Sequence, residues 1–376
     1  MPAKKILHFR VWGNPPIAAS VEAMLRESYP EDEIEVITLW ERIKADKRAL
    51  LRNLWAVLRE YGFDILAGRL QFKAAFFRTV FLFNYVKELT VQIGARYRDV
   101  RFTFQLQSIF DTHLDGIPNF VYTDHTHLAN LQYSPAIRVH LYSAEWIACE
   151  KSIYMHAARV FTRSTNISRS LTDQYGIPEF KVRCIYAGAN TPLKGMDPRE
   201  KDYSAQAILF VGLDWQRKGG PQLVAAFQQL RAKFPQATLT VVGNSVPQAT
   251  PGINVVGRVA VDELGAYYQA ATIFCMPSRN EPFGVVFVEA MAHALPVVAA
   301  RIGALPDLVT DDRNGYLVPA DDVGALTQAL EKLMESKARR AQFGRQSWQL
   351  ARDRYNWNAV GKTLRKYTDE YFKAGK

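Results

Sequence analysis

Cysteine is scarce in this sequence: Cys149, Cys184 and Cys275 stand far apart among 376 residues, with no pair at metal-ligand spacing. That scarcity excludes a disulfide framework and a cysteine-rich zinc module, and it fits core thiols in a reducing, cytoplasmic compartment. Long apolar runs are missing too. No stretch of about 18 uncharged apolar residues occurs, and the apolar run in the opening "MPAKKILHFRVWG" is too short and too interrupted for a signal peptide. Neither a membrane-spanning helix nor a secretory leader is expected. Acids are in deficit, 37 Asp and Glu against 47 Lys and Arg, for a formal net charge of +10. Such a balance favours anionic partners such as nucleotides or acidic lipid surfaces. No nucleic-acid-binding module accompanies it, so nucleic acid is not an expected partner. Internal repeats and low-complexity tracts are also absent.

The length exceeds what one hydrophobic core usually supports, which predicts two domains. From Ala207 onward short β-rich runs alternate with helical patterns: "AILFVG", a helix over 221–234, "TLTVVG", "INVVG", a helix over 261–270, "TIFCMPS" and "PVVAA". Strands and helices alternating at this spacing make a mostly parallel α/β sheet, whose ligands sit at the strand C-termini. The first half reads similarly, with "KKILHFRV", "EIEVITL", "FDILA", "FTFQLQS", "NFVYTD", "RVFTRS" and "KVRCIYAG" as strand candidates. Residues 191–206 combine Gly, Pro and charge without periodicity and read as a linker. The expected domains are 1–190, 207–355 and a C-terminal helix over 356–376.

Two turns carry the chemistry. In "PSRNEPFGVVFVEAM" the strand delivers Glu281 to its C-terminal rim, and a helix is expected to start near Phe283 or Gly284. The amides of Phe283, Gly284 and Val285 would then be free helix-start donors suited to diphosphate oxygens. Glu289, further along an otherwise apolar helix, needs donors of its own: Arg, Lys, backbone amides or the paired hydroxyls of a ribose. In "ILFVGLDWQRKGGPQLVAAF", Arg217 and Lys218 can neutralise adjacent phosphates beside Gly219 and Gly220, although the spacing matches neither GxGxxG nor a P-loop. The alternative for this turn is a solvated helix start with surface cations. For Glu289 it is a carboxylate that faces solvent or a structural Arg.

The E-x7-E pair, Glu281 to Glu289, followed by "IGALPDLVTDDRNGYLVPADDVGAL", resembles the retaining nucleotide-sugar glycosyltransferases of glycosyltransferase family 4 (group 1), over roughly 208–330. The resemblance implies a GT-B fold: two Rossmann-like domains facing a central cleft, with the C-terminal helix crossing back to the first. It implies that Glu281 contacts donor-sugar hydroxyls, that Glu289 holds the ribose and that Lys218 binds the diphosphate. Leu213 stands where the family usually has Arg, and Arg217 is the candidate replacement. The family also often places a His at a first-domain strand end, a region where "NFVYTDHTH" offers Asp124, His125 and His127. In "VWGNPP", Gly13 and Asn14 occupy the family's acceptor and phosphate loop. The implied function is transfer, with retention and without metal or other cofactor, of a sugar from a nucleoside diphosphate donor to a glycan or lipid-linked saccharide, as in polysaccharide biosynthesis. Alternatives are a sugar-nucleotide epimerase or phosphorylase of the same fold, or a non-catalytic protein that binds nucleotide sugar or a membrane surface.

Residues 68–102 interleave aromatics with Arg69, Lys73, Arg78, Lys87, Arg96, Arg98 and Arg101. They read either as a basic amphipathic helix on the anionic inner face of a membrane or as a core helix whose Phe72, Phe76, Phe83 and Val86 pack on the sheet.

Overall fold

The computed structural model describes residues 4–13, 16–133, 140–190, 197–244 and 250–375. The chain divides into two compact units, one of Met1–Leu131, Arg138–Ile185 and Val360–Lys376, the other of Gln132–Ile137 and Tyr186–Ala359. Linker positions 191–196 lie outside the described residues.

The first unit is built on strands β1 (Lys5–Arg10), β2 (Glu33–Thr38), β3 (Val100–Leu106), β4 (Asn119–Thr123), β5 (Arg159–Thr162) and β6 (Val182–Cys184). All pair in parallel, in the order β2-β1-β3-β4-β5-β6. Strand β4 is buried at every position and the centres of β1, β3 and β5 are buried too, as a sheet covered on both faces requires. Thr103 Oγ1, in this layer, donates to Asn119 Oδ1 at 2.8 Å. From Val360 the helix Trp357–Ala374 belongs to this unit. Tyr29 and Thr368 share a buried 2.6 Å hydroxyl contact, Arg365 pairs with Glu31 at 2.6 Å, and the Phe372 ring lies against Phe102 and Phe120.

Two expectations fail in this unit. "FDILA", expected as a strand, is the end of the helix Lys47–Leu66. Asp46 caps that helix by accepting from Ala49 N, and buried Ala49, Asn53, Ala56, Val57 and Tyr61 keep the helical period on one face. Nor do residues 68–102 form one amphipathic helix. They hold the short helix Phe72–Phe76, then the helix Val80–Gly94 capped by Thr79, and then the start of β3. Leu82, Phe83, Val86 and Ile93 bury the second helix in the core, and Lys87 is its one cation. The other cations of the segment fall outside that helix. Arg101, for instance, pairs with Glu31, Asp32 and Asp369.

The second unit carries β7 (Ala207–Val211), β8 (Thr238–Val242), β9 (Ile253–Gly257), β10 (Ile273–Met276), β11 (Val297–Ala300) and β12 (Gly315–Val318). These are parallel in the order β12-β11-β10-β7-β8-β9. The chain runs from β7 outward through β8 and β9, then returns to place β10 on the other side of β7. That reversal puts a crevice at the C-terminal ends of β7 and β10, where open α/β sheets take ligands. Strand β12 was not among the strand candidates. It joins the edge through Gly315, where a Cβ would come within 1.9 Å of the Val297 carbonyl oxygen.

Candidate functional site

In the second unit the loops after β7 and β10 lock together. Gly219 takes the left-handed φ of +75° at the end of the β7 turn, and a Cβ there would meet the Pro277 carbonyl oxygen at 2.0 Å. Arg279 N donates to Arg217 O at 2.8 Å, and Arg217 Nη1 donates to Asn280 O at 3.0 Å. The helix Gly220–Lys233 then leaves, with Pro221 in its first turn. Gly219→Ala should therefore part the two loops. For a rim that holds nucleotide, as the sequence leads one to expect, the variant's signature is a loss of that binding well beyond any fall in melting temperature, read by calorimetric titration beside a thermal melt.

The joined loops hold a buried ion pair. Lys218 Nζ lies 2.5 Å from Glu281 Oε2, and Ser278 Oγ donates to the same oxygen at 3.0 Å. Glu281 is only 4% exposed. Its Oε1 has no protein hydrogen bond among the described residues. Its main chain is held from beneath, where Ala304 N donates to Glu281 O at 3.1 Å. Gly303, at φ +50°, permits that approach, since a Cβ on it would lie 2.2 Å from the same oxygen. Ser278 and Gly303 are positioning residues that sequence reasoning missed. Their only signal is that they flank or follow the E-x7-E stretch.

The helix after β10 is Val285–Ala292, starting later than expected, with left-handed Gly284 (φ +91°) as its N-cap. The first-turn amides without an intrahelical acceptor are thereby shifted toward Val285 and Val286. Phe283 is buried ahead of them. Glu289, 3% exposed, does not face solvent: it accepts a 3.0 Å hydrogen bond from Tyr268 Oη. Tyr268 stacks on His293 at 5.1 Å, and burial drives its phenol well above the ordinary range, so it stays a donor. Tyr268 was not foreseen, because it comes from the preceding helix, Leu264–Ala270. The remaining β7-loop residues divide by exposure. Leu213 points outward, while Arg217 Nε is held at 3.0 Å by Asp214.

In the first unit, Asp124 and His125 follow the C-terminal end of β4. Asp124 Oδ2 accepts from Arg163 Nη1 at 3.2 Å, and that guanidinium lies 4.8 Å over the Tyr122 ring. His125 is part-exposed, its Nδ1 is buried without a hydrogen-bond partner, and burial lowers its pKa. His127 is different. Its Nε2 accepts the Tyr142 amide at 2.9 Å, its ring lies 4.4 Å from that of Tyr142, and burial pushes its pKa down to about 3. The His127 ring is thus engaged in packing and a backbone hydrogen bond, whereas Asp124 and His125 are part-exposed at the strand end. Beneath it Glu150 accepts from His127 N, Tyr154 and Tyr175, and burial raises its pKa to about 7. Gly13 follows β1, with room where a Cβ would stand. Asn14 lies outside the described residues.

Comparison with known proteins gives the following. Residues 205–336 match the family model for glycosyl transferases group 1. A D-inositol 3-phosphate glycosyltransferase of Corynebacterium efficiens is 35% identical over 177 residues, 43% of this chain and 42% of that protein. A GDP-mannose-dependent α-(1-6)-phosphatidylinositol monomannoside mannosyltransferase of Mycolicibacterium smegmatis is 32% identical over 171 residues, 39% and 44% of the two chains. The chain spans about half the length of the curated relatives it matches. Sucrose-phosphate synthase from Thermosynechococcus elongatus shares the fold at a TM-score of 0.71 and 20% identity, over 99% of this chain and 100% of that one.

Proposed function

We propose, from the match of residues 205–336 to the group 1 glycosyl transferase model and from the shared GT-B fold, that the protein transfers a sugar from a nucleoside diphosphate sugar to a glycan or lipid-linked saccharide, with retention of configuration. The observation that carries this reading is the Lys218–Glu281 pair at the β7/β10 crevice, with helix-start amides and Glu289 following it.

Each group meets one part of the donor. Lys218 and the amides of Val285 and Val286 take up the charge that grows on the diphosphate as the glycosidic bond breaks. Glu281, whose Oε1 has no hydrogen bond among the described residues, accepts from sugar hydroxyls. Glu289 accepts from the ribose, with Tyr268 fixing its carboxylate. Arg217, lacking the family's Arg at Leu213, adds a second cation to the same rim. In the first unit Asp124 and His125 serve the acceptor side, and Arg163 orients Asp124. Transfer on this reading is metal-independent, because the chain's own cation and amides meet the phosphates, and chelation with EDTA should leave turnover unchanged.

The test is incubation with UDP-, GDP- and ADP-sugars, with an acceptor panel, followed by NMR of the anomeric product. Transfer with the donor's anomeric configuration kept supports the reading. Inversion contradicts retention. Binding of a donor without hydrolysis or transfer to any acceptor favours a non-catalytic binding protein.

A further inference from the structure

The helix Lys47–Leu66 is apolar on both faces. Its inner face packs Ala49, Ala56, Val57 and Tyr61, yet Leu51, Trp55 and Leu58 are 67%, 64% and 63% exposed, with Leu54 and Leu66 exposed beside them. At 100° per residue, Leu51, Leu54, Trp55 and Leu58 stand at i, i+3, i+4 and i+7 and form one outward stripe. Single exposed leucines are ordinary, whereas a contiguous stripe that includes a tryptophan marks an interaction surface.

Cations predominate beside the stripe. Arg48, Arg52 and Arg59 line one flank, and Lys47 stands at the N-terminal end of the stripe. Arg59 extends over the Trp55 ring at 5.8 Å. A groove of about 750 Å³ runs along the arginine flank, lined by Arg52, Trp55, Arg59 and Phe81. Of the nearby acids, Asp64 pairs with Arg69 at 3.3 Å and Glu60 accepts from Val80 N, while Glu145 is exposed at the far side of the groove, so the flank's three arginines stand beside two glutamates there.

We propose that this face of Lys47–Leu66 docks the protein on an anionic phospholipid bilayer, with the leucines and Trp55 entering the acyl boundary and the arginines meeting lipid phosphates. Apolar centre, interfacial Trp and cationic flank are what such a surface recognises. This helix, rather than residues 68–102, supplies the surface, because the longest helix of that segment is spent in the core. The inference does not depend on the activity proposed above.

The test is flotation of the full chain with vesicles of phosphatidylcholine alone and of phosphatidylcholine with 30% phosphatidylglycerol. Wild type should float with the anionic vesicles and not with the neutral ones, and release as salt rises from 0.1 to 0.5 M. Leu51→Ser with Leu58→Ser, substitutions at exposed positions that should keep the wild-type melting temperature, should cut the floated fraction about ten-fold. Arg48→Ser with Arg52→Ser should do the same for the anionic vesicles. Wild type left at the bottom of the gradient, or a leucine variant that melts and floats like wild type, would overturn the proposal. So would a concentration-dependent dimer without vesicle binding, abolished by the leucine substitutions, because a second copy would then cover the stripe.

Discussion

Glu281→Ala is expected to lower sugar transfer about a thousand-fold, with donor hydrolysis falling in parallel. The carboxylate has two tasks, and alanine ends both. It accepts from Lys218 and Ser278 through Oε2, and on the proposed reading it meets donor hydroxyls through Oε1. The substitution leaves a mostly buried lysine without its counter-charge, a change that costs about 3–5 kcal/mol for a fully buried pair and less here, since the Lys218 side chain keeps 12% of its surface exposed. Glu281→Gln separates the effects. It preserves shape and the Ser278 contact, so the melting temperature should stay closer to wild type while transfer is still lost. Transfer at the wild-type rate in either variant would remove Glu281 from the mechanism.

Acid should unfold the first unit well before its surface carboxylates account for the loss. His8, in the middle of β1, is fully buried with Nδ1 3.3 Å from Phe104 O, and burial lowers its pKa to about 4. His127 is lowered to about 3, again by burial. Both rings are admitted to the fold neutral, whereas the unfolded chain takes up protons as pH falls below the ordinary 6.5. Stability is fully present above pH 6.5 and declines from there toward the folded values. For His8 the lowering to about 4 corresponds to about 3 kcal/mol at the acid end. Glu150 acts in the opposite direction. Its folded pKa of about 7 lies above the usual 4.5, so its contribution falls as pH rises between the two. The two histidines together outweigh it. Urea midpoints at pH 7.0, 6.0 and 5.0 should therefore descend, and His8→Asn, which keeps a donor toward Phe104 O, should flatten the slope. Equal midpoints across that range in wild type would show that the buried rings do not govern acid stability.

How much of this could be read from sequence depended on the range of the interactions involved. The βα alternation from Ala207 and the placement of Glu281 at a strand end were legible, because strands buried on both faces are apolar runs and the turns between them carry Gly, Pro and charge. Glu289's partner was not, since Tyr268 lies 21 residues earlier and nothing local links them. Strand β12 is only four residues long and depends on the glycine that clears Val297 O, a contact across the sheet edge. "FDILA" has the composition of a strand but continues a helix whose register is set upstream by Asn53, Val57 and Tyr61. Periodicity also cannot say which of two apolar helix faces turns inward. Residues 68–102 therefore read either as a membrane-surface or as a core helix; Phe83 and Val86 take the core reading, and the exposed stripe is on Lys47–Leu66.

The central claim, that the β7/β10 crevice grips a nucleoside diphosphate, is tested most directly by calorimetric titration with UDP, GDP and ADP, in wild type and in Lys218→Ala. The account predicts that at least one nucleotide binds wild type and that Lys218→Ala weakens it ten-fold or more. Binding of none of the three, or equal affinity in the two proteins, would contradict it.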